Sequence, residues 1–161
     1  MDFIGRVQQQ WQRERPGVDV APLGLIGRLH RIANHLTVEL VALYAEYGLT
    51  EGEFDVLATL RREGVPYAMA AGELARNTVV TTGGMSKRLD RLESRGLITR
   101  RVSEADQRGR TVSLTDAGRE LIDETFTAHM ENERLLLGSL SADEVEQLTA
   151  LLRHWAENEG L

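Results

Sequence analysis

Short polar and basic side chains are concentrated between residues 81 and 110 of this chain. Hydroxyl, amino and guanidinium groups of this kind hydrogen-bond to base edges and pair with the phosphates of nucleic acid. The candidates for such contacts are Thr81, Thr82, Ser86, Lys87, Arg91, Arg108 and Arg110. Residues 86–110 hold eight basic and four acidic side chains, so this segment carries +4 and the remainder −10, within a total of −6. A basic segment on an acidic chain is typical of a protein that binds DNA through one surface.

Two short helices are expected to position these side chains. The first is predicted over residues 71–77, with Leu74 inward, and Asn77 and Thr78 end it because their side chains compete for backbone hydrogen bonds. Thr81 or Thr82 can cap the second helix. Its predicted buried stripe is Met85, Leu89 and Leu92, and its predicted outward face is Gly83, Lys87, Asp90 and Ser94, with Thr82 and Ser86 on one flank. A short polar face of this kind is what a helix needs to read bases in the major groove.

A hairpin is predicted directly after the second helix. Gly96 is expected to end that helix as its C′ residue. Residues 97–102 and 111–114 are rich in β-branched side chains and predict two strands, joined by a loop with its tip at residues 106–110. Arginines on such a hairpin suit the phosphate backbone or the minor groove. The expected fold class is therefore mainly α with a small β-wing, a winged helix-turn-helix.

Helices are also predicted on both sides of this lobe, over residues 2–14 and 22–47, from Thr50, over 117–137, and from Ser141. Thr50 and Ser141 each begin a capping box. The helix over 22–47 has more apolar surface than one side of a small domain needs, which indicates a subunit interface. We expect one domain over residues 1–161, with an extra N-terminal helix at 1–15, a helical dimerisation layer at 18–48 and 117–161, and a DNA-binding lobe at 50–115.

Two arginines are placed unusually for surface residues. Arg88 lies about 60° from the buried stripe of its helix, and Arg100 has the strand parity of Ile98 and Val102, the expected inward residues. A partly buried arginine needs a carboxylate or an anionic ligand. Asp55 is the nearest candidate carboxylate, although it is expected on the more polar side of its helix, so a structural Asp55–Arg88 salt bridge is one interpretation.

Composition excludes several classes of function. The chain has no cysteine and four scattered histidines, so neither a disulfide framework nor a thiolate or histidine metal site is expected. It contains no nucleophile elbow, phosphate loop or plausible pair of catalytic carboxylates, so we expect no enzyme and no cofactor. No apolar run of about 18 residues and no signal peptide is present, which predicts a cytoplasmic protein without a membrane partner.

Several segments resemble the MarR family of winged-helix transcription regulators. They are Glu73-Leu74-Ala75, Leu89-Asp90-Arg91-Leu92-Glu93, Arg95-Gly96-Leu97-Ile98, Asp106-Gln107-Arg108-Gly109-Arg110 and Leu114-Thr115-Asp116-Ala117-Gly118. The resemblance extends over the flanking helices and so covers nearly the whole chain. It implies a homodimer that binds a near-palindromic operator in double-stranded DNA, usually as a repressor relieved by a small ligand.

A smaller set of residues resembles the urate-responsive HucR and PecS branch of that family. Trp11 on the extra helix, Asp55, Arg88 and Arg100 match the tryptophan, aspartate and two arginines that this branch uses for urate. The resemblance implies that urate or a related purine is the effector. Trp11 is otherwise a packing anchor. Two alternatives stay open: a MarR-type repressor of another aromatic acid, with Asp55–Arg88 purely structural, and a winged-helix interaction module or DNA-binding protein without an effector.

Overall fold

The computed structural model describes residues 1–78, 84–102 and 110–161, and within these ranges it contains seven α-helices and three β-strands. The elements are α1 (Phe3–Glu14), α2 (Ala21–Glu46), α3 (Glu51–Arg62), β1 (Ala68–Ala70), α4 (Ala71–Asn77), α5 (Met85–Ser94), β2 (Ile98–Val102), β3 (Arg110–Leu114), α6 (Asp116–Leu136) and α7 (Ala142–Glu159). The expected fold class, mainly α with a small β-wing, is confirmed. No helix of the described ranges is long and apolar enough to cross a membrane. The chain divides into two compact units, Met1–Ala42 and Leu43–Leu161.

In the first unit, α1 packs closely on the beginning of α2. Asp2 caps α1 by accepting from the Gly5 N–H, and it also forms an ion pair of 2.8 Å with Arg28. Two glycines of α2 allow the close approach: a Cβ on Gly24 would lie 2.8 Å from the Gln8 side chain, and one on Gly27 would lie 2.9 Å from Ile4. The helix predicted over residues 2–14 is therefore present as α1 and packs on α2.

The core of the second unit forms where α3, α5, α6 and the sheet meet. Its completely buried side chains include Leu57, Leu60, Leu74, Leu92, Ile98, Val112 and Ile122. Thr50 begins α3 through the predicted capping box, with the Thr50 side chain accepting from the Glu53 N–H and the Glu53 side chain accepting in return. The apolar side of α3 is buried in this core, and its first turn contacts α5.

The helix-turn-helix follows the predicted pattern except at the start of its second helix. Asn77 and Thr78 end α4 as expected, since their side chains donate to the carbonyls of Glu73 and Ala75. However, α5 begins only at Met85, after Gly84 with a φ of 83° and without a side-chain cap. The prediction of a threonine cap was wrong because the left-handed conformation at Gly84 sets the start of the helix. Thr81, Thr82 and Gly83 lie outside the described residues.

The end of α5 is a Schellman turn at Gly96, as predicted. Gly96 has a φ of 71°, its N–H donates to the carbonyl of Glu93, and the Leu97 N–H donates to that of Leu92. The chain then enters β2 with Ile98 buried. This turn fixes the direction of the wing relative to the second helix.

The wing is part of a three-stranded antiparallel sheet in the order β1-β3-β2. Arg100 pairs with Val112 in β3, and Val102 with Arg110. The third strand, β1, was not predicted, because Ala68, Met69 and Ala70 lack β-branched side chains and gain strand structure by pairing with β3. Val102 was expected inward but is 57% exposed, since the outer end of the wing extends beyond the core.

The start of α6 is joined tightly to the turn between α5 and β2. The Thr115 hydroxyl donates to the carbonyl of Gly96 and accepts from the N–H of Gly118. A Cβ on Gly118 would lie only 1.9 Å from the carbonyl oxygen of Leu97. Glycine is required here because the backbone of α6 directly contacts the backbone of Leu97, the residue before β2.

Candidate functional site

The outward face of α5 carries the polar side chains predicted for it. Ser86, Lys87, Asp90 and Ser94 are exposed, while Leu89 and Leu92 are buried. The opposite face is thus held in the core, and the exposed face presents one hydroxyl and one ammonium group in its first turn. Thr81 and Thr82, two further candidates for DNA contact, lie outside the described residues.

Two exposed arginines follow in the wing, Arg101 in β2 and Arg110 at the start of β3. Residues 103–109 lie outside the described ranges, so Arg108 has no structural account. The described surface of α5 and the wing is therefore rich in cationic groups, namely Lys87, Arg101 and Arg110.

Arg91 adds a further cation to α5, and its position depends on α3. Its Nε lies 3.1 Å from Oε1 of Glu53. The Arg91 side chain is 63% exposed and that of Glu53 only 1%. The inner edge of the guanidinium is therefore held at the protein surface while its outer part is open to solvent. The DNA-contact role of Arg91 stays a prediction.

Arg100 joins the wing to α5 through two carboxylates. Its Nε donates to Oε2 of Glu93 at 2.8 Å, its backbone N–H donates to Oε1 at 3.0 Å, and its Nη2 lies 2.7 Å from Oδ1 of Asp90. The hydrogen bonds that Arg100 donates to Glu93 lower the pKa of the Glu93 carboxyl, and the same bonds raise the pKa of Arg100. The sequence predicted that Arg100 needs an anion; the structure supplies two from α5, and a ligand role for Arg100 stays a prediction.

Arg88 lies on the side of α5 that faces α3. A Cβ on Gly52 would lie 2.3 Å from Arg88 Nε and 2.7 Å from its Cζ, so the guanidinium covers the first turn of α3 directly. Asp55 follows Gly52 by three residues and shares its side of the helix. The expectation that Asp55 lies on the polar side of α3 was wrong: the residue is only 7% exposed, because α3 is covered on several sides. Asp55 and Arg88 thus lie on the same buried side of the junction between α3 and α5.

Asp55 also lines a groove of about 560 Å³ between α3 and α6. Its charged and polar lining comes from Asp55, Arg61, Arg62, Asp123 and His129, and its aromatic lining from Phe54 and Phe126. Arg61 Nε donates to Asp123 at 2.7 Å, which raises the pKa of Arg61, and Arg62 donates to the carbonyl of Asn77 at the end of α4. The groove therefore combines aromatic faces with two arginines and two carboxylates, and Asp123 already occupies Arg61.

His129 was not identified from the sequence. Its Nδ1 lies 3.1 Å from the Tyr44 hydroxyl and its Nε2 lies 3.3 Å from Glu133. Its ring contacts those of Tyr44, Phe54 and Phe126, and burial raises the pKa of Tyr44. The spacing of His129 and Glu133 on α6 was the one signal available, and it is common in helices. Among the described residues, no group of three or more His, Cys, Asp or Glu could hold a metal ion.

Trp11 belongs to the first unit, whereas Asp55, Arg88 and Arg100 belong to the second. It is 50% exposed and lines a groove of about 420 Å³ together with Arg15, Asp19 and apolar residues that include Pro22 and Leu23. The close contacts of α1 with α2 run instead through Ile4 and Gln8. An indole left half exposed beside a cationic side chain can stack on a planar ligand.

Comparison with known proteins gives one consistent result. The MarR family profile matches residues 47–109. The HTH-type transcriptional regulator PecS of Dickeya dadantii (strain 3937) is 39% identical over 149 residues, which are 92% of this chain and 90% of PecS. Among solved structures, Sco3205, a MarR family regulator from Streptomyces coelicolor in complex with DNA, is similar with a TM-score of 0.75 and 25% identity over 89% of this chain and 91% of its own. A mutant MarR from E. coli complexed with operator DNA has a TM-score of 0.70 and 27% identity, covering 85% and 98% of the two chains.

Proposed function

This chain belongs to the MarR family of transcriptional regulators, and we propose that it is a homodimeric repressor that urate or a related purine releases from its operator. The family assignment makes it a DNA-binding regulator, and its relatives are regulators and not enzymes. The observation that supports operator binding best is the exposed face of α5 with Ser86 and Lys87, held in place by a buried opposite face. A transcription regulator must be in the same compartment as the DNA that it binds, so the proposal also includes a cytoplasmic location.

In the proposed complex, α5 enters the major groove and the wing lies along the backbone. Ser86 and Lys87 contact bases or phosphates, with Thr81 and Thr82 ahead of them, and Arg91, Arg108 and Arg110 contact phosphates or the minor groove. Two copies related by a two-fold axis require a near-palindromic operator whose half-sites lie about one helical turn apart.

Exposed apolar side chains support the proposed dimer. Within the described residues, α2 exposes Leu25, Ile32 and Val38 by more than half, and α7 similarly exposes Leu151. A monomeric protein rarely leaves so much apolar surface exposed to water on two of its helices. We assign these surfaces of the N- and C-terminal helices to the partner subunit.

The effector proposal rests on Arg88 and Asp55. Urate is a planar anion at neutral pH, and a guanidinium can pair with it through parallel hydrogen bonds. Without ligand, Arg88 lies over Gly52 on the side of α3 that also carries Asp55, a position that ties α5 to α3. Bound urate would compete for Arg88 and would thereby weaken the hold of α5 on DNA. The branch resemblance also assigns urate contacts to Arg100 and Trp11. The similarity to PecS, at 39% identity, is consistent with the branch resemblance from which this effector is proposed.

Another aromatic acid is the second candidate effector. The groove beside Asp55 has two phenylalanine rings and two arginines. A planar carboxylate of suitable size would stack on the rings and compete with Asp123 for Arg61. In that case the contact of Arg88 with α3 would be structural only.

A gel shift on the DNA upstream of the protein's own gene tests these proposals, with urate and salicylate titrated separately. Release by urate alone supports the purine effector, and release by salicylate alone moves the ligand to the aromatic acids. Binding without release leaves a DNA-binding regulator with no effector among these two, and absence of binding contradicts the operator proposal.

Three variants locate the switch. Arg88→Ala and Asp55→Ala should each blunt the urate response in a folded dimer, since the ligand acts only through a difference in affinity between two states. Arg119→Ala is the matched control, because Arg119 is paired with Asp116 on α6, away from this junction. If both variants release DNA at the wild-type urate concentration, the switch lies elsewhere.

A further inference from the structure

Glu53 is a buried carboxylate shared between two elements of the DNA-binding unit. The residue has no exposed surface. Its Oε2 accepts from the Thr50 backbone N–H at 2.9 Å and lies 3.0 Å from the Thr50 hydroxyl. These bonds complete the capping box of α3 and use one carboxylate oxygen. A capping box needs no more, so the second oxygen is available for another purpose.

The second oxygen faces α5. Oε1 of Glu53 lies 3.1 Å from Nε of Arg91, yet it accepts no aligned hydrogen bond from the described residues. The interaction is therefore a close charge contact. An ionised carboxylate out of water needs such a cation nearby, because burial of an unpaired charge is costly.

The same contact restricts the Arg91 side chain. An arginine on a helix surface ordinarily samples many rotamers, and ordering it on binding costs free energy. Here Nε is held at Glu53 while the side chain as a whole is 63% exposed. Lys87 lies four residues earlier on α5, so the Lys87 and Arg91 side chains start from the same side of the helix.

We propose that Glu53 is a positioning residue for DNA binding, which holds Arg91 so that its outer nitrogens contact a phosphate beside Lys87. This rests on the proposed DNA face of α5. Part of the side-chain entropy that Arg91 would lose on binding is then already lost in the free protein, before DNA binds. One carboxylate serves both as the cap of α3 and as the support of a DNA contact on α5.

Replacement of Glu53 by glutamine distinguishes a role in positioning Arg91 from a purely electrostatic effect of the Glu53 charge on DNA. Glutamine has the same shape and also completes a capping box. Removal of a negative charge near the DNA face should tighten binding if charge alone matters, because phosphate repulsion decreases. If Glu53 positions Arg91, Glu53→Gln should instead weaken binding, roughly two- to tenfold, the cost of ordering one long side chain.

The experiment is a double-mutant cycle measured by fluorescence anisotropy on the DNA upstream of the gene, over a range of salt concentrations. We expect Arg91→Ala to lower the slope of log K against log salt by about 0.9, which is one phosphate contact. Glu53→Gln should weaken binding in the wild-type background and have little effect in the Arg91→Ala background. Equal losses in both backgrounds, or tighter binding by Glu53→Gln, overturn the proposal.

Arg91→Lys provides the second test if Glu53→Gln lowers the melting temperature too far. A lysine keeps the charge, but its single ammonium cannot contact Glu53 and a phosphate through separate nitrogens. Weaker binding by Arg91→Lys supports positioning, and unchanged binding refutes it. Wild-type protein that binds no DNA at all would overturn the proposed function as well, which distinguishes the two failures.

Discussion

The substitution Gly52→Ala tests whether the contact of Arg88 with α3 controls DNA binding by α5, at a residue outside the proposed DNA face. The added Cβ would lie 2.3 Å from Arg88 Nε, 2.7 Å from Cζ and 2.9 Å from Cδ. Contacts this short cannot persist, and the flexible end of Arg88 will move before the backbone of α3 does. The substitution therefore displaces Arg88 from α3, which is the change that we assign to bound urate.

Gly52→Ala is expected to change the free energy of unfolding little and operator affinity strongly. Alanine is better than glycine in a helix by up to about 1 kcal/mol, and this gain offsets part of the packing that Arg88 loses. The free energy of unfolding should thus change by less than about 1 kcal/mol. Operator affinity should fall by about fivefold or more, since allosteric couplings are typically about 1–3 kcal/mol.

The assay pairs a denaturant titration with anisotropy measurements of operator binding at several urate concentrations. Gly72→Ala is the matched control, because Gly72 is likewise the second residue of its helix and its nearest neighbour would be 3.9 Å away. Thermodynamic reciprocity adds a second readout: if the variant favours the released state, it should bind urate at least as tightly as the wild type.

Wild-type operator affinity and an unchanged urate response in Gly52→Ala would refute this reasoning. The contact between Arg88 and α3 would then be packing only. A further loss of DNA binding when Gly52→Ala is added to Arg88→Ala would also contradict it, because the alanine would then act through something other than Arg88.

Three further outcomes are expected. Lys87→Ala should weaken binding to all DNA sequences and reduce the salt slope by about one, as measured by anisotropy in increasing salt. Arg100 holds the pKa of Glu93 below its ordinary value of 4.5, so the pair stabilises the folded protein above pH 4.5 and loses this contribution as the pH falls through the lower folded-state pKa. The difference in melting temperature between wild type and Glu93→Gln should therefore decrease on acidification from pH 4.5. A constant difference would contradict the stabilising role of the pair. Gly118→Ala should lower the free energy of unfolding in urea by about 1–3 kcal/mol or more, since its Cβ would meet the Leu97 carbonyl at 1.9 Å; a stability equal to wild type would show that α6 can move away from β2.

Local signals in the sequence predicted most of the fold. The capping boxes at Thr50 and Ser141 begin α3 and α7 as expected, Gly96 ends α5, and helical periodicity identified Leu89 and Leu92 as buried. Each of these signals lies within one or two turns of chain, so it acts in any tertiary context. The start of α5 and the strand β1 were missed, because the first depends on the φ of Gly84 and the second on pairing with a distant strand.

The candidate site depended more heavily on tertiary structure. Periodicity placed Lys87 outward and Arg88 toward the core, and both placements are confirmed. It could not show that Asp55 is buried, that Arg100 pairs with Asp90 and Glu93, or that a capping glutamate reaches Arg91.

The sequence by itself therefore determined which helices form, which sides of them are apolar and that the chain resembles the MarR family. Only the tertiary structure decided which charged groups meet across elements: Glu53 with Arg91, and Arg88 with the first turn of α3. The reason is physical. Helix ends and amphipathic faces follow from interactions within a few residues, whereas a side-chain partnership between α3 and α5 spans more than thirty residues of chain and exists only once both helices pack on a common core.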